Sequence, residues 1–227
     1  MKMIKINVIA IACVMLFATG CANSQKMALL NDKDALSKSA NPVFLMSVTV
    51  KNNYRPWYQP EIYHVQVERG ADRIIFAMDE QAQIISATEN NYLIRMELEN
   101  AGYVLRGLIG RGGFASLGNF FIQLHLDLKS MGSGVSYLGH IDASIRERND
   151  GEFRAGPLAP ILWQAIPGFS GGTFDVAVSD AFIVDEEKFR SKFVGLKDIE
   201  IKKSILPAFD RQKAQEWWEE DLNGWPD

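Results

Sequence analysis

The sequence predicts an all-β protein, an antiparallel β-sandwich of immunoglobulin-like or related type, followed by two short C-terminal helices. Three observations lead there. Six segments alternate apolar and polar residues with a period of two, Gly, Asn and Pro punctuate them, and two short helix-spaced segments close the chain. Alternation of this kind suits antiparallel strands with one face on a core and one in water, and many such strands separated by turn residues indicate a sandwich or barrel.

The elements follow in order. In "FLMSVTVK", Phe44, Met46, Val48 and Val50 share one face, with Ser47, Thr49 and Lys51 opposite. In "YHVQVER", Tyr63, Val65 and Val67 alternate with His64, Gln66 and Glu68. "YLIRMELE" sets Tyr92, Ile94, Met96 and Leu98 against Arg95, Glu97 and Glu99. "FFIQLHLDLK" sets Phe120, Ile122, Leu124, Leu126 and Leu128 against Gln123, His125, Asp127 and Lys129. "YLGHIDASIRER" alternates Tyr137, Ile141 and Ile145 with His140, Asp142 and Arg146, and "TFDVAV" behaves likewise. "KSMGSG" between two alternating runs predicts a hairpin loop. Asp185 is placed to cap "EEKFRSKF", with Phe189 and Phe193 on one helical face, and Asp210 to cap "RQKAQEWWEEDL", which turns Ala214, Trp217 and Trp218 toward the body. No repeat or linker divides residues 42–227, which read as one domain.

The N-terminus differs in kind. Lys2 and Lys5 precede the apolar run "INVIAIACVMLFATG", which is too short for a membrane span and has the form of a signal peptide over residues 1–20. Small residues, Ala18-Thr19-Gly20, come immediately before Cys21. Phe17 to Cys21 resembles the lipobox of bacterial lipoproteins, with Ala18 where leucine is most usual. That resemblance implies cleavage before Cys21, acylation of Cys21 and attachment to a lipid bilayer. Ala22 stands where aspartate would favour the inner membrane of a Gram-negative cell, so the resemblance implies the outer membrane. More than one acyl chain holds a protein stably on a bilayer, where a single chain binds reversibly. Residues 21–41 then comprise the lipidated Cys and a polar tether.

Loss of Lys2 and Lys5 with the leader leaves 22 basic residues against 28 acidic, a formal net charge of −6. An acidic domain of this kind is a poor partner for nucleic acid. With Cys13 removed and Cys21 acylated, the mature chain keeps no thiol for a disulfide. The composition suggests no cofactor.

Three constellations carry possible chemistry. "PGFSGG" places Ser170 in a glycine-rich loop with the spacing of a serine-hydrolase nucleophile. An α/β-hydrolase elbow needs a helix after the serine and a histidine later in the chain, whereas an alternating strand follows Ser170 and no histidine does. "GFSGG" is closer to the chymotrypsin-like Gly-Asp-Ser-Gly-Gly loop, with Phe169 in place of Asp and His64 as the candidate base. The same glycines serve a plain turn equally well, with Phe169 filling a pocket and Ser170 bonding local backbone. Second, His125, Asp127, His140 and Asp142 would share one sheet face if their strands form the hairpin around "KSMGSG", a nitrogen and oxygen set suited to zinc. Third, "NYRPWYQP" and the C-terminal "WWEEDLNGWPD" supply Trp57, Tyr58, Trp217, Trp218 and Trp225 as a possible binding surface for a protein or a glycan. The polar segment 146–160 is a candidate recognition loop beside them.

These readings make the chain resemble Gram-negative lipoproteins with uncharacterised sandwich domains. The function expected is non-catalytic binding or assembly in the cell envelope, with an envelope protein or glycan as partner. The alternatives are a serine hydrolase using Ser170 and His64, or a metal-binding protein using the His125, Asp127, His140 and Asp142 face.

Overall fold

A computed structural model of the chain describes residues 23–29, 41–80, 83–85, 87–99, 102–112, 118–129, 132–158 and 165–220. The signal segment, Cys21 and Trp225 lie outside the described residues. The strands are β1 (Asn23–Lys26), β2 (Val43–Asn52), β3 (Pro60–Arg69), β4 (Asp72–Ala77), β5 (Gln83–Ile85), β6 (Asn90–Glu97), β7 (Tyr103–Gly112), β8 (Asn119–Leu128), β9 (Val135–Glu147), β10 (Gly172–Ser179) and β11 (Ile201–Lys203). Helix α1 spans Phe182–Lys192 and helix α2 spans Arg211–Glu220. None of the described helices is long and apolar enough to cross a membrane.

The strands form two sheets, as the alternation predicts. One has the order β1-β4-β3-β7-β8 and the other β10-β9-β2-β6-β5, with β11 added to β9. Their inner faces meet in one core. Phe44, Met46, Val48, Val50, Tyr92, Ile94, Met96 and Leu98 come from the second sheet, and Phe120, Ile122, Leu124, Leu126 and Leu128 from the first. Full burial of each such side chain contributes about 1.5–3 kcal/mol relative to exposure.

The pairing is mixed rather than purely antiparallel. β1 runs parallel to β4, and β9 runs parallel to both β2 and β11. "KSMGSG" does not join two neighbouring strands. Strand β8 pairs with β7 and strand β9 with β2 and β10, so the segment between them crosses from one sheet to the other instead of closing a hairpin. The period-two pattern identifies which face of a strand is buried but not which strand lies beside it.

Two irregularities rotate individual residues off their expected faces. The register of β3 against β7 shifts between Ile62 and His64, so Ile62, Val65 and Val67 enter the core, whereas Tyr63 does not belong to it. Along β9, Gly139 adopts φ +115°, so Leu138 and Ile141 face the main core while Tyr137 turns to the outer side under α1.

Both open sides of the sandwich are closed. On one side, Phe121 N donates to Ala155 O at 2.9 Å and Ala155 N to Gly172 O at 2.8 Å, joining the edges of β8 and β10 through the segment 153–156. Helix α2 lies over that seam. Asp210 caps it through Lys213 N at 3.0 Å, as expected, and Arg211 donates to Phe174 O at 2.7 Å and to Thr173 Oγ1 at 2.9 Å. Glu152 meets Arg211 at 2.9 Å and Arg146 at 2.6 Å. The hydrogen bonds from Arg146 hold the Glu152 carboxyl down to about 2.

On the other side, β1 continues into a strap. Met27 and Leu29 are buried, Ala28 N donates to Arg95 O at 3.0 Å, and Arg95 Nε donates back to Ala28 O at 2.8 Å. Residues 23–29 are therefore part of the body, where the sequence suggested tether. The exposed edge of β4 offers unpaired backbone groups that the polar "NSQK" can satisfy, and Met27 and Leu29 supply apolar area.

Helix α1 covers part of the outer face of the second sheet. Phe189 and Phe193 pack with Val43, Leu45, Val135, Tyr137 and Leu196. Asp185 does not cap it. Asp180 Oδ1 accepts from Phe182 N at 3.1 Å, and Asp185 is buried within the first turn.

Candidate binding surface

The strand ends define two ends of the sandwich. At one end stand the last residue of β2, the first of β3, the last of β7 and the first of β8, with Pro60 opposite Gly112 and Arg111 opposite Asn119. The loop 53–59 projects there, built around Asn52, which is only 1% exposed. Asn52 Oδ1 accepts from Tyr54 N at 3.1 Å and Arg55 N at 2.8 Å, and its Nδ2 donates to Tyr58 O at 3.0 Å and Pro167 O at 2.7 Å. Both donors and both lone pairs of one buried amide are thus committed to holding a turn. Gln59 reinforces it by donating Nε2 to Pro56 O at 2.6 Å and accepting at Oε1 from Asn52 N at 2.9 Å.

At the tip of this braced turn Trp57 is 73% exposed, with Tyr58 edge-on to it at 6.4 Å between ring centroids. The Arg55 guanidinium lies 4.1 Å above the Tyr54 ring. Tyr54 also approaches Gly168 so closely that a Cβ there would lie 2.7 Å from its Cδ1. The loop 165–171 flanks the turn through Pro167 and adds exposed Ile166, and Leu158 is exposed two residues beyond Gly156, whose N donates to Phe169 O at 2.8 Å. The large aromatic face of Trp57 can grip a flat partner surface at low entropic cost, because the loop that carries it is already ordered.

Ser170 has the part of a turn residue. Gly168 adopts φ +85°, Phe169 is fully buried against Phe120 at 5.3 Å, and Ser170 O accepts a hydrogen bond from Arg154 Nη1. The Phe169 ring lies over Gly112, which pairs with Pro60, whereas His64 is four residues further along β3, about 13 Å by strand rise. The structure does not bring Ser170 and His64 together. His64 instead packs edge-on to Tyr63 at 4.6 Å, and partial burial lowers its pKa.

The metal tetrad is divided in the same way. His125 and Asp127 lie on β8 in the first sheet, and His140 and Asp142 on β9 in the second. His125, at φ +50° in an irregular stretch of β8, accepts from Arg106 Nη1 at 2.8 Å. Its pKa is lowered by burial first and then by Arg106. Lysines face the carboxylates, with Lys213 3.9 Å from Asp127 and Lys51 3.5 Å from Asp142. Among the described residues no group of three or more His, Cys, Asp or Glu is arranged to hold a metal ion.

Of the C-terminal aromatics, Trp217 is half-buried beneath Arg106 at 4.2 Å and beside Phe121 at 5.6 Å, and Trp218 packs against the core. They dock α2. Among the described residues of the predicted surface, Trp57 remains outward, with partly exposed Tyr58 beside it.

One polar constellation escaped the sequence reading. Ser47 Oγ donates to Asp185 Oδ2 and lies 2.7 Å from His140 Nδ1, and Tyr137 OH donates to the same Oδ2 at 2.6 Å. Lys188 Nζ stands 3.2 Å from Asp185 Oδ1. Because the single Ser47 proton goes to Asp185, His140 donates its Nδ1 proton to Ser47. Burial raises the Tyr137 pKa, aided by Asp185, and burial lowers that of His140. Ser47 is 4% exposed and already committed, so the set fastens α1 to the sheet and does not present a nucleophile. Its members lie far apart in sequence and no spacing announced them.

No protein family, curated protein or solved structure matches this chain.

Proposed function

We propose that this protein is a binding or assembly module of the bacterial cell envelope, anchored by acylated Cys21 to the outer membrane and engaging an envelope protein or glycan through the Trp57 loop. The observation that carries the reading is the pairing of a 73% exposed Trp57 with a turn braced by four hydrogen bonds from the side chain of buried Asn52. An aromatic residue of that size left bare on a rigid support is more useful to a partner than to the fold, since its exposure contributes nothing to the core. The lipobox-like residues Ala18-Thr19-Gly20-Cys21 support the anchor.

Hydroxyl-radical footprinting tests the partner half. Trp57 should be oxidised several-fold more slowly in intact envelopes than in the purified protein, while Ile183 on α1, 86% exposed, reacts alike in both. Equal oxidation of Trp57 in both settings would remove the basis for the reading. Mass spectrometry of the mature chain tests the anchor half, with acyl chains expected on Cys21 and the Cys21→Ser variant expected to leave the membrane fraction.

A further inference from the structure

The two ends of the sandwich are not equivalent with respect to Cys21. Only Ala22 separates Cys21 from Asn23, the first residue of β1, so the two Cα atoms lie within about 7 Å of one another however the chain is drawn. Strand β1 runs parallel to β4 with Asn23 opposite Ile74, two residues from the start of β4. Its beginning therefore points to the β3–β4 hairpin, where Arg69 pairs with Asp72 across Gly70 and Ala71. The Trp57 loop enters β3 at its other end, and ten strand residues span about 30 Å.

We infer that the acylated protein stands on the bilayer with its β3–β4 hairpin end against the lipid headgroups and the Trp57 loop held roughly 30 Å above them. This rests on the acylation of Cys21 proposed above. The strap enforces the posture. Slack can come only from peeling β1 away from β4, and the far end of β1 is held by buried Met27 and Leu29 and by the reciprocal bonds between Ala28 and Arg95. Charge does not enforce it. Around the hairpin, Arg69 meets Glu99 at 2.8 Å and Asp72 at 3.9 Å, and Arg73 meets Glu68 at 3.3 Å, so these cations are already matched. The surface touching lipid is held there by a covalent link and not by unpaired cations, and the loop that meets a partner is carried clear of the membrane.

The mature chain has no other cysteine, so an introduced one takes a fluorophore uniquely. Ala71→Cys in the hairpin and Ser133→Cys in the β8–β9 connection mark the lower end, and Asp150→Cys beyond β9 marks the upper; all three positions are exposed. The full lipidated chain is reconstituted in phosphatidylethanolamine and phosphatidylglycerol vesicles carrying headgroup nitroxides. Labels at positions 71 and 133 should be quenched several-fold more than the label at 150, and added salt should not change the ratio. Quenching at 150 equal to or greater than that at 71, or negligible quenching at all three on an acylated chain, would overturn the posture while leaving the anchor intact. A mature chain without acyl groups, or a Cys21→Ser variant that holds vesicles equally well, would overturn the anchor and the posture together.

Discussion

Arg95→Met should destabilise the protein by about 3–5 kcal/mol, the cost typical of breaking a buried ion pair from one side. Arg95 is fully buried, and its guanidinium joins four groups that the backbone alone would not hold together. Nη2 pairs with Asp79, Nε donates to Ala28 O at 2.8 Å, Nη1 donates to Leu93 O at 2.9 Å, and the plane sits 4.0 Å above the Phe193 ring. Burial lowers the Arg95 pKa, with Asp79 opposing, yet a guanidinium stays protonated. Methionine would fill the volume but strand the Ala28 and Leu93 carbonyls and remove the cation from Asp79. Arg95→Lys should recover only part of the loss, because an ammonium cannot span three acceptors with the planar fork. Urea unfolding gives the magnitude, and hydrogen exchange at Ala28 should accelerate in step, since the strap loses its clasp. A change below 1 kcal/mol, or an Ala28 amide that stays protected, would show that the strap is held by something else.

Asp185→Ala should cost about 2–4 kcal/mol by a different route. The substitution leaves two buried donors, Ser47 Oγ and Tyr137 OH, without their acceptor, and each buried group stripped of its partner costs about 1–3 kcal/mol. Asp185→Asn keeps one acceptor oxygen and should cost about half as much. Because Asp185 ties α1 to β2 and β9, the loss should appear as local opening of 182–193 ahead of global unfolding, read by exchange of the Phe189 amide. If Asp185→Ala unfolds with the wild-type midpoint, the carboxylate is incidental and the aromatic contacts of Phe182, Phe189 and Phe193 suffice.

Much of the core was legible because period-two alternation is a direct image of one-sided burial. Phe44 to Val50 and Phe120 to Leu128 occupy the faces they predict, and Asp210 caps the helix it precedes. What escaped lacked an apolar signal or depended on pairing. Strand β7 carries Gly107 and Gly110, which interrupt its apolar pattern. Both make room for aromatic rings of β8, since a Cβ at Gly107 would lie 2.7 Å from Phe121 Cζ and one at Gly110 2.0 Å from Phe120 Cζ. Strand β1 is wholly polar and earns its place from the free edge of β4. The metal tetrad failed because it assumed a partner for β8, and alternation carries no information on partners. At the candidate surface Trp57 and Tyr58 were visible from composition, but Asn52 was one more turn-forming residue until its four hydrogen bonds could be seen.

If the Trp57 loop meets a partner in the envelope, a photoreactive benzoylphenylalanine at position 57 will capture it. Irradiated in intact cells, it should yield a discrete adduct, protein or glycan, that Glu187 labelled in the same way on α1 does not. No adduct from position 57, or the same adducts from 57 and 187, would show that the loop meets no partner of its own.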